Sequence, residues 1–283
     1  MGLVADIERK LARERARQQA GAVPELRTST MTHVVWAPNR WLQRAKTVLA
    51  GLAERHPART ILLVPMEGTR DRVEADVHVH DFPVGDGREV LSEVIEVRLW
   101  GRTADHPASI VLPLLISDLP AFCRWRGEPR WDSTSFSELL GVCDRLVVDS
   151  NEWPDPAAGY QRLLPAFDRV SASDLSYRRT LGWKVRLAEL WPEIRSMRHL
   201  SVTGPKSDAL LLAGWLRTRL HREIELQWSK ADQPTAVSVD GAAVEHPIGG
   251  IPSGPDLLSA ELDVLARDRV YEAAVRGALG RKR

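Results

Sequence analysis

Cysteine is scarce in this chain, and no apolar run is long. The two cysteines, Cys123 and Cys143, allow one disulfide at most, so a fold stapled by several disulfides is excluded and a reducing compartment is expected. The longest apolar run, residues 110–116, contains Pro113 and is far shorter than the ~20 residues that cross a bilayer. The first 18 residues mix acids with bases and lack the apolar stretch of a signal peptide. We therefore expect a cytoplasmic protein with no membrane partner.

An excess of charge of one sign is also missing. The chain has 39 lysines and arginines against 38 aspartates and glutamates, which gives a formal net charge of +1. Because proteins that bind nucleic acid usually carry a marked excess of positive charge, no nucleic-acid partner is expected.

The short motifs of common enzyme classes are absent as well. The sequence contains no glycine-rich dinucleotide fingerprint, P-loop, nucleophile elbow, HExxH or CxxC. An active site assembled from distant residues leaves no such signature, so these absences favour a noncatalytic protein without excluding an enzyme.

The apolar patterns that are present predict an α/β fold. At 283 residues, about two domains are expected. Residues 1–30 are predicted to form an N-terminal amphipathic helix and linker, and residues 31–153 a larger α/β sandwich. A helical connection and a smaller C-terminal α/β domain are predicted over residues 154–283.

Individual elements follow from periodicity and from capping residues. A strand, helix, strand unit is predicted at residues 32–36, 41–54 and 59–64, and a second one at 199–202, 207–220 and 223–228. Single helices are predicted over residues 106–116, 157–170 and 175–191, and a helix over 136–142 with Ser133 or Ser135 as its cap.

Tryptophan is unusually frequent, with 10 residues against 4 phenylalanines and 3 tyrosines. One basic stretch, residues 178–186, has Tyr177, Trp183 and Trp191 among or beside its cations. Arginine and aromatic side chains often dominate interface energies, so this stretch is a candidate contact surface for an acidic partner. The alternative is an ordinary solvated helix whose tryptophans face the core.

Three other groups are weaker candidates for a site. Asp76, His78 and His80 alternate along one predicted strand and could supply metal ligands, although no further ligand is identifiable and the solvated face of an amphipathic strand is the preferred interpretation. Lys206 and Ser207 open a predicted helix, where an anion such as a sugar phosphate could bind, but any strand-to-helix turn also needs such residues. Cys123 and Cys143 would form a redox switch if the fold brought them together; otherwise they are small buried apolar residues.

Several segments taken together resemble one protein family. They are HPAR at 56–59, PLLISDLP at 113–120, RWRG at 124–127, DRLVVDS at 144–150 and SDLSYRR at 173–179. In this order and spacing they resemble the OpcA proteins, described as assembly or subunit proteins of glucose-6-phosphate dehydrogenase in cyanobacteria and actinobacteria. Two positions depart from the family pattern, since Arg124 and Tyr177 stand where tryptophan is common.

The resemblance implies a noncatalytic protein without a cofactor of its own. It implies binding to glucose-6-phosphate dehydrogenase, a shift of that enzyme toward its active oligomer or conformation, and support of NADPH production in the oxidative pentose phosphate pathway. The residues predicted to contact the partner, from residue type and motif position, are Trp125, Arg126, Tyr177, Arg178, Arg179 and Trp183. The alternative is an enzyme or sensor that binds a sugar phosphate or a nucleotide near Lys206 and Ser207.

Overall fold

A computed structural model describes residues 2–19, 29–53, 55–83 and 89–280. The chain divides into two compact units: residues 1–147 with 262–265, and residues 148–261 with 266–283. Among the helices in these described ranges, none combines the length and the hydropathy that a membrane span requires.

The first unit alternates strands with helices. Its elements are α1 (Leu3–Gln19), β1 (Met31–Trp36), α2 (Asn39–Leu52), β2 (Ala58–Pro65), β3 (Arg72–Pro83), β4 (Glu89–Trp100), α3 (Arg102–Asp105), α4 (Ala108–Val111), β5 (Ala121–Trp125), α5 (Thr134–Val142) and β6 (Arg145–Val148). Within this unit the strand order is β3-β4-β2-β1-β5-β6. All of these strands are parallel to their neighbours except β3, which runs antiparallel to β4.

Helices cover both faces of this sheet, which explains the apolar sequence of its central strands. In β2, Ile61 and Leu62 point to opposite faces, and both are at most 1% exposed. On β4, Glu93 contacts Arg15 of α1, whereas Glu96, on the opposite face, contacts Lys46 of α2. The predicted α/β class and the predicted first strand, helix, strand unit are therefore confirmed.

The second unit has a smaller sheet packed with helices. Its elements are α6 (Pro156–Leu163), β7 (Ser171–Asp174), α7 (Leu175–Arg179), α8 (Leu181–Glu189), β8 (His199–Gly204), α9 (Lys206–Leu220), β9 (Glu225–Lys230), β10 (Ala236–Val239), β11 (Ala242–Ala243), α10 (Gly254–Leu262) and α11 (Arg269–Ala278). The four-strand sheet has the order β11-β10-β8-β9. The predicted unit of β8, α9 and β9 is confirmed.

Close packing of α9 on α11 depends on two glycines. A Cβ added at Gly214 would lie 2.1 Å from the carbonyl oxygen of Ala274, and one added at Gly277 would lie 2.4 Å from the carbonyl oxygen of Gly214. Because such distances are impossible for real atoms, these two helices approach through their backbones, which larger residues would prevent.

Three helices that the sequence predicts as continuous are interrupted. The prediction for residues 106–116 is wrong because α4 ends at Val111 and the chain continues as a 3-10 turn that contains Pro113. Likewise α6 ends at Leu163, and α7 and α8 are separated at Thr180, whose ψ of 3° is not helical. By contrast, the predicted cap of α5 is confirmed, since the Ser133 hydroxyl accepts the N–H of Phe136.

Candidate functional site

Four of the six predicted contact residues lie on the two short helices α7 and α8. They are Tyr177, Arg178 and Arg179 of α7 and Trp183 of α8. Asp174 is the N-cap of α7, since its Oδ1 accepts the backbone N–H of Ser176 at 2.8 Å. The structure thus brings these predicted residues into one region of the second unit.

Trp183 belongs to the core of this unit. Its side chain is 2% exposed, and its indole Nε1 donates to the carbonyl oxygen of Pro234 at 3.3 Å. The edge of the ring packs on His246, with 5.0 Å between ring centroids. Direct contact of Trp183 with a partner stays a prediction, and such contact would require this packing to open.

Tyr177 and Arg178 are only partly accessible. The Lys184 ammonium lies 3.1 Å from the centroid of the Tyr177 ring and donates to the Tyr177 carbonyl at 3.0 Å. Burial lowers the pKa of Lys184 to about 7 and raises the pKa of Tyr177. The Nε of Arg178 donates to Glu261 at 2.6 Å. Contacts within the unit therefore hold both predicted side chains in place.

Arg179 lies at the centre of a buried polar network. Its Nη1 donates to Asp208 at 2.7 Å, and its Nη2 lies 3.3 Å from both carboxylate oxygens of Asp149. The side chain of Arg179 is 10% exposed and that of Asp208 is 0% exposed. The guanidinium therefore links α7 to the first turn of α9.

Two carboxyl groups of this network have unusually high pKa values. Burial first, and the charge of Asp149 second, raise the pKa of Asp174 to about 7. Burial also raises the pKa of Asp208 to about 7, against the opposing effect of Arg179. Such groups can exchange protons near neutral pH, but both are at most 1% exposed, so no substrate reaches them in this structure. The network therefore positions α7 and α9 rather than forming an open reaction site.

The outer face of α8 is apolar and exposed. Leu181 is 48% exposed, Val185 is 52% exposed, Ala188 is also exposed, and Trp191, which follows one turn later, is 59% exposed. The first three are spaced at i, i+4 and i+7, so they share one side of the helix. We call these four residues the α8 face. Exposed apolar residues along one side of a helix are a feature of surfaces that bind another protein, which makes the α8 face a candidate contact surface.

Sequence reasoning placed the contact in this region but missed most of the α8 face. Apolar residues occupy both sides of α8, so periodicity alone does not show which side is buried. Leu187 is 0% exposed, whereas Val185, two residues earlier, is exposed. One signal for this surface was available in the sequence. Trp191 precedes Pro192 at the end of the helical pattern, a position where a tryptophan is expected to be exposed.

The other two predicted contact residues, Trp125 and Arg126, lie in the first unit. Trp125 is 3% exposed and stacks on Trp36, with 4.8 Å between ring centroids. Arg126 is 8% exposed, and its guanidinium lies 5.0 Å from the centroid of the Trp41 ring. Both side chains pack inside this unit, so a role in binding a partner stays a prediction for them.

The start of α9, predicted as an anion site, is occupied by groups of the protein itself. Ser207 is 1% exposed and accepts a hydrogen bond from Ser176 at 3.1 Å. Lys206 is more open, and its ammonium lies 3.4 Å from Asp155. The acidic side chain of Asp208 follows in the first turn of the helix. Because these carboxylates would repel an added anion, nothing in the geometry favours the sugar-phosphate alternative.

Cys123 and Cys143 are brought together, as the redox hypothesis requires. The two thiols share a hydrogen bond, and Cys123 is 0% and Cys143 8% exposed. This hydrogen bond, burial and the charge of Asp144 raise the pKa of Cys143 well above its usual value. Since the thiolate is the reactive form, the pair reacts slowly in this conformation. A redox role stays a prediction.

The strand pattern predicted at Asp76 and His78 is present on β3, where both residues are exposed. The side chain of His80 lies outside those that the structure describes. Asp76 lies 3.6 Å from Arg98. Among the described residues, no group of three or more histidine, cysteine, aspartate or glutamate side chains could hold a metal ion.

Comparisons with known proteins agree with the resemblance noted in the sequence. Residues 49–164 match the family described as glucose-6-phosphate dehydrogenase subunit N-terminal domain. Three cyanobacterial proteins, all carrying the provisional name OxPP cycle protein OpcA, also match. The protein of Nostoc punctiforme is 26% identical over 219 residues, 71% of this chain and 47% of its own length. That of Synechococcus elongatus is 27% identical over 60% of this chain and 41% of its own length, and that of Synechocystis sp. is 25% identical over 60% and 38%.

The chain spans about half the length, or less, of the curated relatives it matches. The matched segments nevertheless include the HPAR, PLLISDLP, RWRG and DRLVVDS motifs, which all lie within or next to residues 49–164. Together the motifs, the family match and the three relatives support the resemblance of this chain to the OpcA family.

Proposed function

We propose that this chain binds glucose-6-phosphate dehydrogenase through the α8 face and favours the active oligomer or conformation of that enzyme. It does so in the cytoplasm, without catalysing a reaction itself, and so supports NADPH production in the oxidative pentose phosphate pathway. The observation that carries this proposal is the exposed apolar α8 face on a chain of which residues 49–164 match a dehydrogenase subunit family.

The chemistry of the α8 face suits a protein partner. Leu181, Val185 and Trp191 expose about half of their side-chain surface to water, and burying it against another protein would release that water. Arg186, beside these residues, pairs with Glu189 and Glu245. This combination of an apolar centre and a charged rim is typical of protein interfaces.

The activation itself requires only a difference in affinity. A protein that binds the active state of the dehydrogenase more tightly than the inactive state shifts the equilibrium toward the active state. A difference of ~1.4 kcal/mol changes the ratio of the two states tenfold. Substrate that favours the active state would in turn tighten the complex, because the coupling is reciprocal.

The test measures binding and NADPH formation with the dehydrogenase of the same organism. We expect saturable binding of the wild-type chain, faster NADPH formation in its presence and no turnover by the chain alone. Val185→Asp places a charge in the centre of the α8 face and should weaken binding about tenfold or more, because an unpaired charge would be buried in the complex.

Leu112→Asp is the matched control. Leu112 is 54% exposed, nearly the same as Val185, but lies in the first unit outside the α8 face. It should leave binding and activation unchanged. Equal binding by folded Val185→Asp and wild type would remove the α8 face from the proposal, whereas failure of wild type to bind the dehydrogenase would overturn the function itself.

A further inference from the structure

A cavity of about 480 Å³ lies inside the first unit between the sheet and α2. Its floor is one face of the sheet, where His33 of β1, Thr60 of β2 and Val94 of β4 stand side by side in register. Its roof includes Leu49 and Ala50 of α2. The volume lies within the range of about 300–1,000 Å³ that small-molecule sites occupy.

Most of the surface that lines the cavity is apolar, although seven of the fifteen lining residues are polar, among them His33, His56 and His78. Alanine, leucine and valine supply eight of the fifteen residues that line the cavity. A sugar phosphate or a nucleotide carries polar groups along its whole length and would place some of them against the apolar part of the wall. A small molecule with an apolar body and a single polar group fits this lining better.

His33 supplies the polar group that most needs a partner. Its side chain is 2% exposed, and its Nε2 has no hydrogen-bond partner among the residues that the structure describes. An unsatisfied nitrogen at this depth destabilises the protein unless a bound molecule satisfies it. Burial first, then the charges of Arg124 and His56, lower the pKa of His33 to about 3, so its ring is neutral at physiological pH.

The acid in the cavity lining is compensated, so it does not exclude a negative group. Glu96, the acid in the lining, already contacts the Lys46 ammonium at 2.6 Å and the Arg98 guanidinium at 2.6 Å. Since Arg98 also contacts Asp76, two cations balance two carboxylates at this point, and Glu96 presents no uncompensated negative charge to the cavity. A neutral imidazole can donate one N–H, and a carboxylate is the acceptor to which such a donor binds most strongly.

We propose that this cavity is a binding site for a small organic acid, whose apolar body lies between the sheet and α2 and whose carboxylate accepts a hydrogen bond from His33. The proposal concerns the first unit and does not depend on the α8 face or on the dehydrogenase. Such a site would make the chain responsive to a metabolite.

The test is isothermal titration calorimetry of the full chain with octanoate, and with octan-1-ol and octylamine as matched neutral and cationic probes. We expect a saturable isotherm for octanoate and at least tenfold weaker binding of the other two. Ala50→Phe places a ring over the cavity at an exposed position of α2, where it can be accommodated, and should abolish octanoate binding. His33→Phe keeps a ring of similar size but removes both nitrogens, and should weaken octanoate about tenfold.

His199→Phe is the matched control, because it removes a histidine of the second unit that is 58% exposed; octanoate should bind it as it binds wild type. Absence of saturable octanoate binding, or unchanged binding in Ala50→Phe, would overturn the site. Equal binding of octan-1-ol would overturn the assignment of a carboxylate. If His33→Phe fails to fold, the other variant and the three probes still decide the question.

Discussion

Each unit buries acidic side chains, but the sheet of the first unit and the network around Arg179 in the second unit compensate them differently. In the first unit, Glu93 contacts both Arg15 and Arg59, and Glu96 contacts Lys46 and Arg98 on the opposite face of the sheet. In the second unit, Arg179 contacts Asp149 and Asp208, while Asp174 receives backbone N–H groups and lies 3.5 Å from a tyrosine hydroxyl. One guanidinium thus contacts two of three neighbouring carboxyl groups.

This difference shows why the buried carboxyl groups around Arg179 should respond to pH near neutrality. Burial raises the pKa of Asp174 and of Asp208 to about 7, and at Asp208 the Arg179 guanidinium, which also contacts Asp149, offsets only part of the rise. The network also fixes α7, which precedes the α8 face directly in sequence. Stability of the second unit and presentation of the proposed docking surface are therefore connected through the same buried charges.

Removing Arg179 should have the largest effect on stability. Arg179→Met deletes the cation that contacts Asp149 and Asp208 and should lower the free energy of unfolding by about 3–5 kcal/mol, because it leaves buried carboxylates uncompensated. Urea unfolding at pH 8 measures this loss. Arg102→Met, which removes an exposed ion pair with Asp71, is the control and should change stability little. A loss no larger than that of the control would contradict the role given to Arg179.

Removing the ionisation of Asp174 should act in the opposite direction. The pKa of this group is raised in the folded state, so its contribution to stability is full below pH 4 and is lost as the pH rises to about 7. Asp174→Asn keeps an oxygen that accepts the N–H groups of Ser150 and Ser176 but cannot ionise. At pH 8 it should stabilise the protein by about 2 kcal/mol.

The measurement is the free energy of unfolding at several pH values between 4 and 8, for wild type and Asp174→Asn. The wild type should lose stability relative to the variant across this interval, and Asp208→Asn should also reduce this slope. Parallel pH curves for wild type and Asp174→Asn would show that the carboxyl group of Asp174 is not held protonated.

Much of the fold was predictable because local signals agree with tertiary burial. The apolar run in β2 and the Ser133 cap of α5 are explicit in the sequence. In contrast, β7 was missed, because its sequence SASD lacks apolar alternation and is stabilised by its surroundings. The interruptions at Pro113 and Thr180 were missed because the apolar pattern continues across both of them.

The candidate sites were less predictable, since exposure and distance are properties of the folded chain. Arg179 and Trp183 read as interface residues by type, yet one is held by buried carboxylates and the other lies in the core. His33 carried no signal at all, because a single histidine in an apolar strand has no partner within its own segment. Only the register of neighbouring strands places it on the floor of the cavity.

Removing one cation in the first unit should have a smaller effect than the Arg179 substitution. Arg59→Met deletes a hydrogen bond of 2.8 Å to Glu93 and one of 3.0 Å to the Leu114 carbonyl. Because Arg15 still contacts Glu93, the carboxylate keeps a cation, and the expected loss is about 1 kcal/mol. Urea unfolding checks this value, with Arg15→Met as the reciprocal variant. A loss equal to that of Arg179→Met would mean that the two units do not differ in charge compensation.

Lys46→Met tests the same redundancy on the opposite face of the sheet and should have the smallest effect. The Lys46 side chain is 44% exposed, so its ion pair with Glu96 is screened by water, and Arg98 still neutralises the carboxylate. The expected loss is about 0.5 kcal/mol or less. A comparison of Lys46→Met with Arg59→Met separates the effect of solvent exposure from the effect of a second cation. In both variants the carboxylate keeps another cation, but Arg59 is partly buried and Lys46 is not. If Lys46→Met proved as costly as Arg59→Met, redundancy of cations alone would explain the tolerance of the first unit, and exposure would add nothing to it.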